Sequence, residues 1–233
     1  MQKNKPAQVT HLFPLTLYKA KIGLSKDERE ILIREVYSQE KQSKNLENKE
    51  TNKAWTGDTQ GFEFLFSNKK FTKLFNLIGE HTKEYTKTIG LNYNKVDFYY
   101  QRAWATISRK NEKIVAHSHL QSHITFAYYL KKEKEDGKLV FHNVKANNEI
   151  APGLFSTLGS SNFVTPNYTN AALVRFPADV DELVIFPSKT LHSTLPNQTS
   201  NDRISIAADI SVVAKNSENI ETLLTPVDKW MKF

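Results

Sequence analysis

The tightest constraint on this chain is a change of texture at Val96. Upstream, apolar residues recur at helical spacing; downstream, the chain breaks into short runs rich in Val, Ile, Phe and Tyr, divided by turn residues. The runs predict strands at 96–107, 114–119, 124–130, 138–141, 172–176, 182–186 and 203–213, with a shorter one around His192. Strands this short bury a core only by closing against one another. Helices first and many strands after predict an α+β, mainly β arrangement, with a sandwich or barrel carrying the site. A jelly roll is one economical closure. Upstream, Ser25 with Glu28 forms a capping box ahead of Ile31, Leu32 and Val36. Phe71, Leu74, Phe75, Ile78 and Tyr85 predict a second helix, stopped at Gly90. The polar segment 41–53 reads as a loop.

No repeat or low-complexity linker divides the 233 residues, so a single domain is expected: a mainly helical flank over 1–95, a β core over 96–213 and a tail over 214–233. Between Phe141 and Ala171 lies a long polar stretch holding Pro152, Gly153, Gly159 and Pro166. Loops of that length in a compact domain serve function or stay disordered. The absence of cysteine excludes disulfides, thiolate catalysis and Cys-based zinc sites, and fits a reducing compartment. Neither a signal peptide nor a membrane-length apolar run is visible. The expectation is a soluble, cytoplasmic protein with no membrane partner. The net charge of +7 comes from Lys-rich pieces interleaved with Glu, as in Lys131-Lys132-Glu133-Lys134. With no binding motif beside it, that excess reads as solvated surface rather than a nucleic-acid stripe. No P-loop, Rossmann glycine pattern or Gly-x-Ser-x-Gly is present.

Three of the seven histidines fall in Ala116-His117-Ser118-His119-Leu120-Gln121-Ser122-His123. Residues two apart on a strand share a face, so His117 and His119 would project side by side, as two ligands of one metal must. His123 shares that parity only if the strand runs unbroken through Gln121-Ser122. Downstream, Phe186-Pro187-Ser188-Lys189-Thr190-Leu191-His192 places another histidine after an apolar strand and a turn. Eleven residues later comes Arg203, opening a strand on which Arg203, Ser205 and Ala207 face one way and Ile204, Ile206 and Ala208 the other. If the first face lines a barrel, the arginine is buried and calls for an anionic partner; a dicarboxylic acid would pair with its guanidinium.

These pieces together, His117-x-His119, Ile124 to Leu130, Gly137-Lys138-Leu139-Val140-Phe141, Phe186-Pro187-Ser188 to His192 and Arg203-Ile204-Ser205-Ile206, resemble the 2-oxoglutarate/Fe(II) oxygenase superfamily. More narrowly, they are similar to a group of oxygenases from bacteria and marine phages with the pattern HxHP, SGVYYL, FPSxLxH, RISIAFN. The resemblance covers about 55–212. It implies a double-stranded β-helix (jelly roll) with flanking N-terminal helices, an iron held by His117, His119 and His192, and 2-oxoglutarate anchored by Arg203 with help from Ser205. Tyr128 or Tyr129 is a further candidate donor. The implied activity is hydroxylation of a peptidyl side chain or small metabolite, with release of succinate and CO2. The chain departs from the pattern at Leu120, at Thr125-Phe126 and at Ala208-Asp209, and His119 stands where the superfamily usually has a carboxylate. His117-x-His119-x3-His123 is also similar to cupin metal motifs, and the alternative is a cupin-like metalloenzyme with three or four histidines, His123 being the fourth, that does not use 2-oxoglutarate. A non-catalytic β-domain is the third reading. His11, His81 and His142 read as structural or surface residues, and Trp55, Trp104 and Trp230 as packing, with Trp104 a possible pocket wall.

Overall fold

Period-two alternation pays off only if each strand has two different neighbours, and the computed structural model provides them. It describes residues 7–43, 53–134, 137–156 and 163–233. In chain order the elements are β1 (Tyr18–Lys21), α1 (Lys26–Gln42), β2 (Trp55–Thr56), α2 (Thr72–Thr88), β3 (Val96–Ser108), β4 (Ile124–Lys131), β5 (Leu139–His142), β6 (Leu173–Phe176), β7 (Glu182–Pro187), β8 (His192–Thr194) and β9 (Arg203–Ala214). Six strands form one antiparallel sheet in the order β1-β7-β4-β9-β3-β2, and three form a second, β6-β5-β8. Together they make the double-stranded β-helix.

One face of the large sheet is aliphatic and meets the helices. Ile124, Phe126, Tyr128 and Leu130 of β4, with Ile204, Ile206, Ala208 and Ile210 of β9, are buried in a cluster with Leu32, Ile33 and Val36 of α1 and Leu74, Phe75 and Ile78 of α2. Each such side chain contributes about 1.5–3 kcal/mol by leaving water, which is why the helices the sequence predicted need the sheet. The opposite face looks at the small sheet, where Tyr129, Val184 and Phe186 pack with Leu139 and Phe141. The site lies between the sheets.

Two irregularities set what points inward. Gln101 is skipped in the β3–β9 register, so that Tyr100 pairs with Ile210 but Arg102 with Asp209. That bulge inverts the alternation: Val96 belongs to the helix-side cluster before it, and Ala103, Ala105 and Ile107 after it. Arg102, Trp104 and Thr106 therefore turn inward and line the cavity. A second bulge skips Leu130 between β4 and β9.

The capping box forms as expected, with Glu28 N–H donating to Ser25 Oγ and Ser25 N–H to Glu28 Oε2. The predicted strand at 114–119 is a correction: it is an extended, bent segment with an isolated bridge from His117 to His192. It makes ladder bonds where it passes β8, but Ala116 breaks its course. Edge strand β1 escaped the sequence reading. Most of the expected 41–53 loop lies outside the described residues. Among the described residues, no helix is long and apolar enough to cross a membrane.

Candidate metal centre

The bridge between His117 and His192 brings the first two rings together. His117 N–H donates to His192 O at 2.9 Å and His192 N–H returns a bond to His117 O at 3.0 Å. Residues that exchange both bonds lie directly opposite one another, and here the ring centroids are 4.3 Å apart. His119 N–H is fixed on Ser188 O at 2.9 Å, which places its ring 5.3 Å from that of His192. One ligand atom from each of the three histidines lies within 4.8 Å of the others.

Hydrogen bonds select the tautomer. His117 Nδ1 lies 2.9 Å from Val115 O, His192 Nδ1 2.9 Å from Thr190 O, and His119 Nδ1 2.5 Å from Asp209 Oδ1. A carbonyl or carboxylate oxygen accepts and does not donate, so each Nδ1 carries a proton and Nε2 is the ring nitrogen left to face a metal. Burial pushes the His192 imidazolium down to about 3, with the neighbouring His117 adding to the effect, and burial also lowers His117. Burial thus favours the neutral ring at His117 and His192, the state that metal binding requires, and with His119 they converge as three oriented imidazoles. Such a set suits iron, as it does nickel, copper or zinc.

Asp209 is a functional candidate to which the sequence reading gave no role. It is fully buried. Burial opposes its ionisation, but the hydrogen bonds from His119 and Arg102 outweigh that and hold its carboxyl below the usual range. Arg102 donates from Nε at 2.9 Å and Nη2 at 2.6 Å to Asp209 Oδ2. Trp104 stacks on the His119 ring at 5.7 Å, and the Arg102 guanidinium lies 5.2 Å over Trp104. The available signal was parity: Asp209 follows Arg203, Ser205 and Ala207 at spacings of two.

The three histidines open into a cavity of about 200 Å³ between the sheets. Its floor is made of rows across β3, β9 and β4: Trp104, Ala207 and Ala127, then Thr106, Ser205 and Tyr129. The two alanines leave the space between the histidines and the row of hydroxyls. Beyond that row sits Arg203, 2% exposed, its Nη1 donating to Gly137 O at 3.1 Å and its Nη2 to Thr194 Oγ1 at 3.1 Å; both also reach Leu195 O at 3.2 Å. Thr194 itself lines the cavity, so the guanidinium lies one hydroxyl behind the wall. Gly137 is required there: a Cβ would collide with Arg203 Nη1 and come 2.5 Å from Leu195 O. At the mouth, Asp58 lines the cavity with a buried Oδ1 that has no hydrogen-bond partner.

Two candidates fall elsewhere. His123 stands apart from the three-histidine group, because its Nδ1 accepts the Val212 N–H at 2.9 Å. Tyr128 faces the helices, where its hydroxyl donates to Asp181 Oδ1 at 2.9 Å; alternation gives the cavity to Tyr129 instead. His81 is a satisfied structural histidine, bonded to Tyr18 Oη at 2.8 Å.

Residues 102–209 match a family described as "Putative 2OG-Fe(II) oxygenase". No curated protein sequence matches the chain. Among solved structures, the fold is similar to that of the non-heme alpha ketoglutarate dependent epimerase SnoN from nogalamycin biosynthesis (13% identity, 84% of this chain and 78% of that one, TM-score 0.55). It is similar also to HygX from Streptomyces hygroscopicus with nickel and 2-oxoglutarate bound (11%, 91% and 92%, 0.53). A Pseudomonas putida prolyl-4-hydroxylase is a third (12%, 84% and 92%, 0.52).

Proposed function

We propose, from the match of residues 102–209 to the 2OG-Fe(II) oxygenase family, that this protein is an iron(II)- and 2-oxoglutarate-dependent oxygenase that hydroxylates a peptidyl side chain or a small metabolite. The observation that carries the reading is the convergence of three histidines, each with Nδ1 committed to an acceptor and Nε2 left for a metal. Three protein donors would leave a metal room to take a chelating cosubstrate and oxygen. When bound, iron(II) would let O2 act as the oxidant: one oxygen atom would go to 2-oxoglutarate, which loses CO2 to become succinate, and the other would convert a substrate C–H bond to C–OH.

The protein's part is binding, orientation and exclusion of water. His117, His119 and His192 would hold the metal. Ala127 and Ala207 leave room for the carbon chain of 2-oxoglutarate. At its far end Ser205 and Thr194 offer hydroxyl donors, and Arg203 behind them supplies the positive charge that a carboxylate pairs with. Phe186, edge-on to His192 at 4.8 Å, packs against the metal end, and Leu139, opposite Thr194, lines the far end. Substrate would enter past Asp58, Arg102 and Gln121 at the mouth. HygX and the prolyl-4-hydroxylase bear on the fold and leave the substrate open. The four-histidine, cupin-like alternative loses its support with His123 bonded to Val212 N–H.

The test is succinate formation from 2-oxoglutarate. It is expected to require Fe(II) and to fall at least tenfold in Arg203→Ala, with Fe(II) binding retained. Oxygen consumption indifferent to 2-oxoglutarate would refute the reading.

A further inference from the structure

The three rings are not backed alike. His117 and His192 donate from Nδ1 to backbone carbonyls, which are neutral, whereas His119 donates to the carboxylate of Asp209. We propose that Asp209 is a positioning residue that tunes the metal through His119: it fixes the ring and gives this one imidazole the donor strength of a carboxylate-backed ligand. The proposal rests on the metal reading above.

Asp209 acts through His119 because its own oxygens are saturated. Oδ1 accepts from His119 and from Ser122 Oγ at 3.0 Å; Oδ2 accepts twice from Arg102 and once from Gln121 Nε2 at 3.2 Å. Ser122 has a single hydroxyl proton, so when it donates to Asp209 its 2.7 Å bond to Ser188 Oγ runs from Ser188 to Ser122. Five hydrogen bonds on one carboxylate with no exposure is an expensive arrangement for a merely packed side chain. Trp104 then closes one face of the His119 ring and restricts its rotation, while the bond to Asp209 holds the proton on Nδ1. With three imidazoles as the donors, a divalent cation meets no negative charge from the three-histidine group itself. The charge of Asp209, one hydrogen bond behind His119, is the compensation these contacts supply. Partners of this kind alter metal affinity by roughly 10–100-fold when removed.

The measurement is anaerobic titration with Co(II), without 2-oxoglutarate, following the ligand-field absorption of the bound metal. Asp209→Asn keeps the size and an acceptor oxygen but removes the charge. It is expected to bind Co(II) roughly 10–100-fold more weakly than the parent and with a changed spectrum. The same substitution is then made in a His119→Asp background, where the metal meets a carboxylate directly. There the loss should vanish or invert, since a second carboxylate behind the first only repels it. A residue that merely props the fold would cost the same in both backgrounds. Should Asp209→Asn alone fail to fold, the comparison of His119→Asp with His119→Asp/Asp209→Asn still decides, with binding by the double variant as tight or tighter expected. Parent-like affinity and spectrum in folded Asp209→Asn, or equal losses in the two backgrounds, would overturn the inference and leave the metal reading standing. Absence of Co(II) binding by the parent would overturn both.

Discussion

His192 is neutral because burial makes its imidazolium costly, and that has a consequence for the metal-free protein. Its folded value is about 3, against about 6.5 in an unfolded chain. Between those values the unfolded state binds the proton and the folded state does not. The stabilisation of the neutral ring is thus complete above about pH 6.5 and is lost progressively as the pH falls towards 3. His117, lowered in the same direction, steepens the loss. Thermal melts of the metal-free protein should show the midpoint falling between pH 7 and 5, and His192→Gln should flatten that limb. A midpoint independent of pH over this range would contradict the burial argument. At this scale the three histidines and Ser205 were legible in the sequence, since parity and spacing carry them. Asp209 was visible as a departure from a family pattern but acquired no role, because its meaning depends on Arg102 and His119, far from it in sequence. Tyr128 went astray because parity read along one strand does not say which face meets the cavity, whereas His123 leaves the group because the chain bends at Leu120 and Gln121 and the strand does not run unbroken.

At the scale of elements, the decisive feature is the bulge at Gln101, which turns Arg102, Trp104 and Thr106 inward. Nothing in the alternation of 96–107 announces it, for Ala103, Ala105 and Ile107 would serve a cavity as well as a helix-packed face. The bulge also aligns Arg102 with Asp209 and the row Trp104, Ala207, Ala127. Filling that row is informative. Ala207→Leu adds three carbon atoms to the cavity floor and is expected to weaken 2-oxoglutarate binding at least tenfold while Co(II) affinity stays within threefold, measured by calorimetry on the Co(II)-loaded protein. Unchanged 2-oxoglutarate affinity would place the cosubstrate elsewhere. The approach to β5 gives a second case. Gly137→Ala drives a methyl into Arg203 and the Leu195 carbonyl, so the loop must move. A lowered melting temperature and weaker 2-oxoglutarate binding should appear together.

At the scale of the molecule, the helices are tied to the sheet at a point distant from the metal. Asp181, buried and with φ of 66°, accepts from Gly23 N–H at 2.8 Å, Leu24 N–H at 3.2 Å and the Tyr128 hydroxyl. Those bonds fasten the entry of α1 to the turn before β7. Asp181→Ala should cost about 3 kcal/mol, for it leaves buried donors unsatisfied, and denaturant unfolding measures it. Metal affinity in the folded fraction should not change. The sequence disclosed the helices and most strands of this architecture, while β1 was missed because four residues at a sheet edge carry too little pattern. The central claim, that three Nε2 atoms hold a metal at one end of a cavity whose other end binds 2-oxoglutarate, is tested most directly by an anaerobic crystal structure with Fe(II) and 2-oxoglutarate. The account predicts iron on His117, His119 and His192, with the distal carboxylate of 2-oxoglutarate at Ser205, Thr194 and Arg203. Iron on a different ligand set, or 2-oxoglutarate absent from that cavity at saturating concentration, would contradict it.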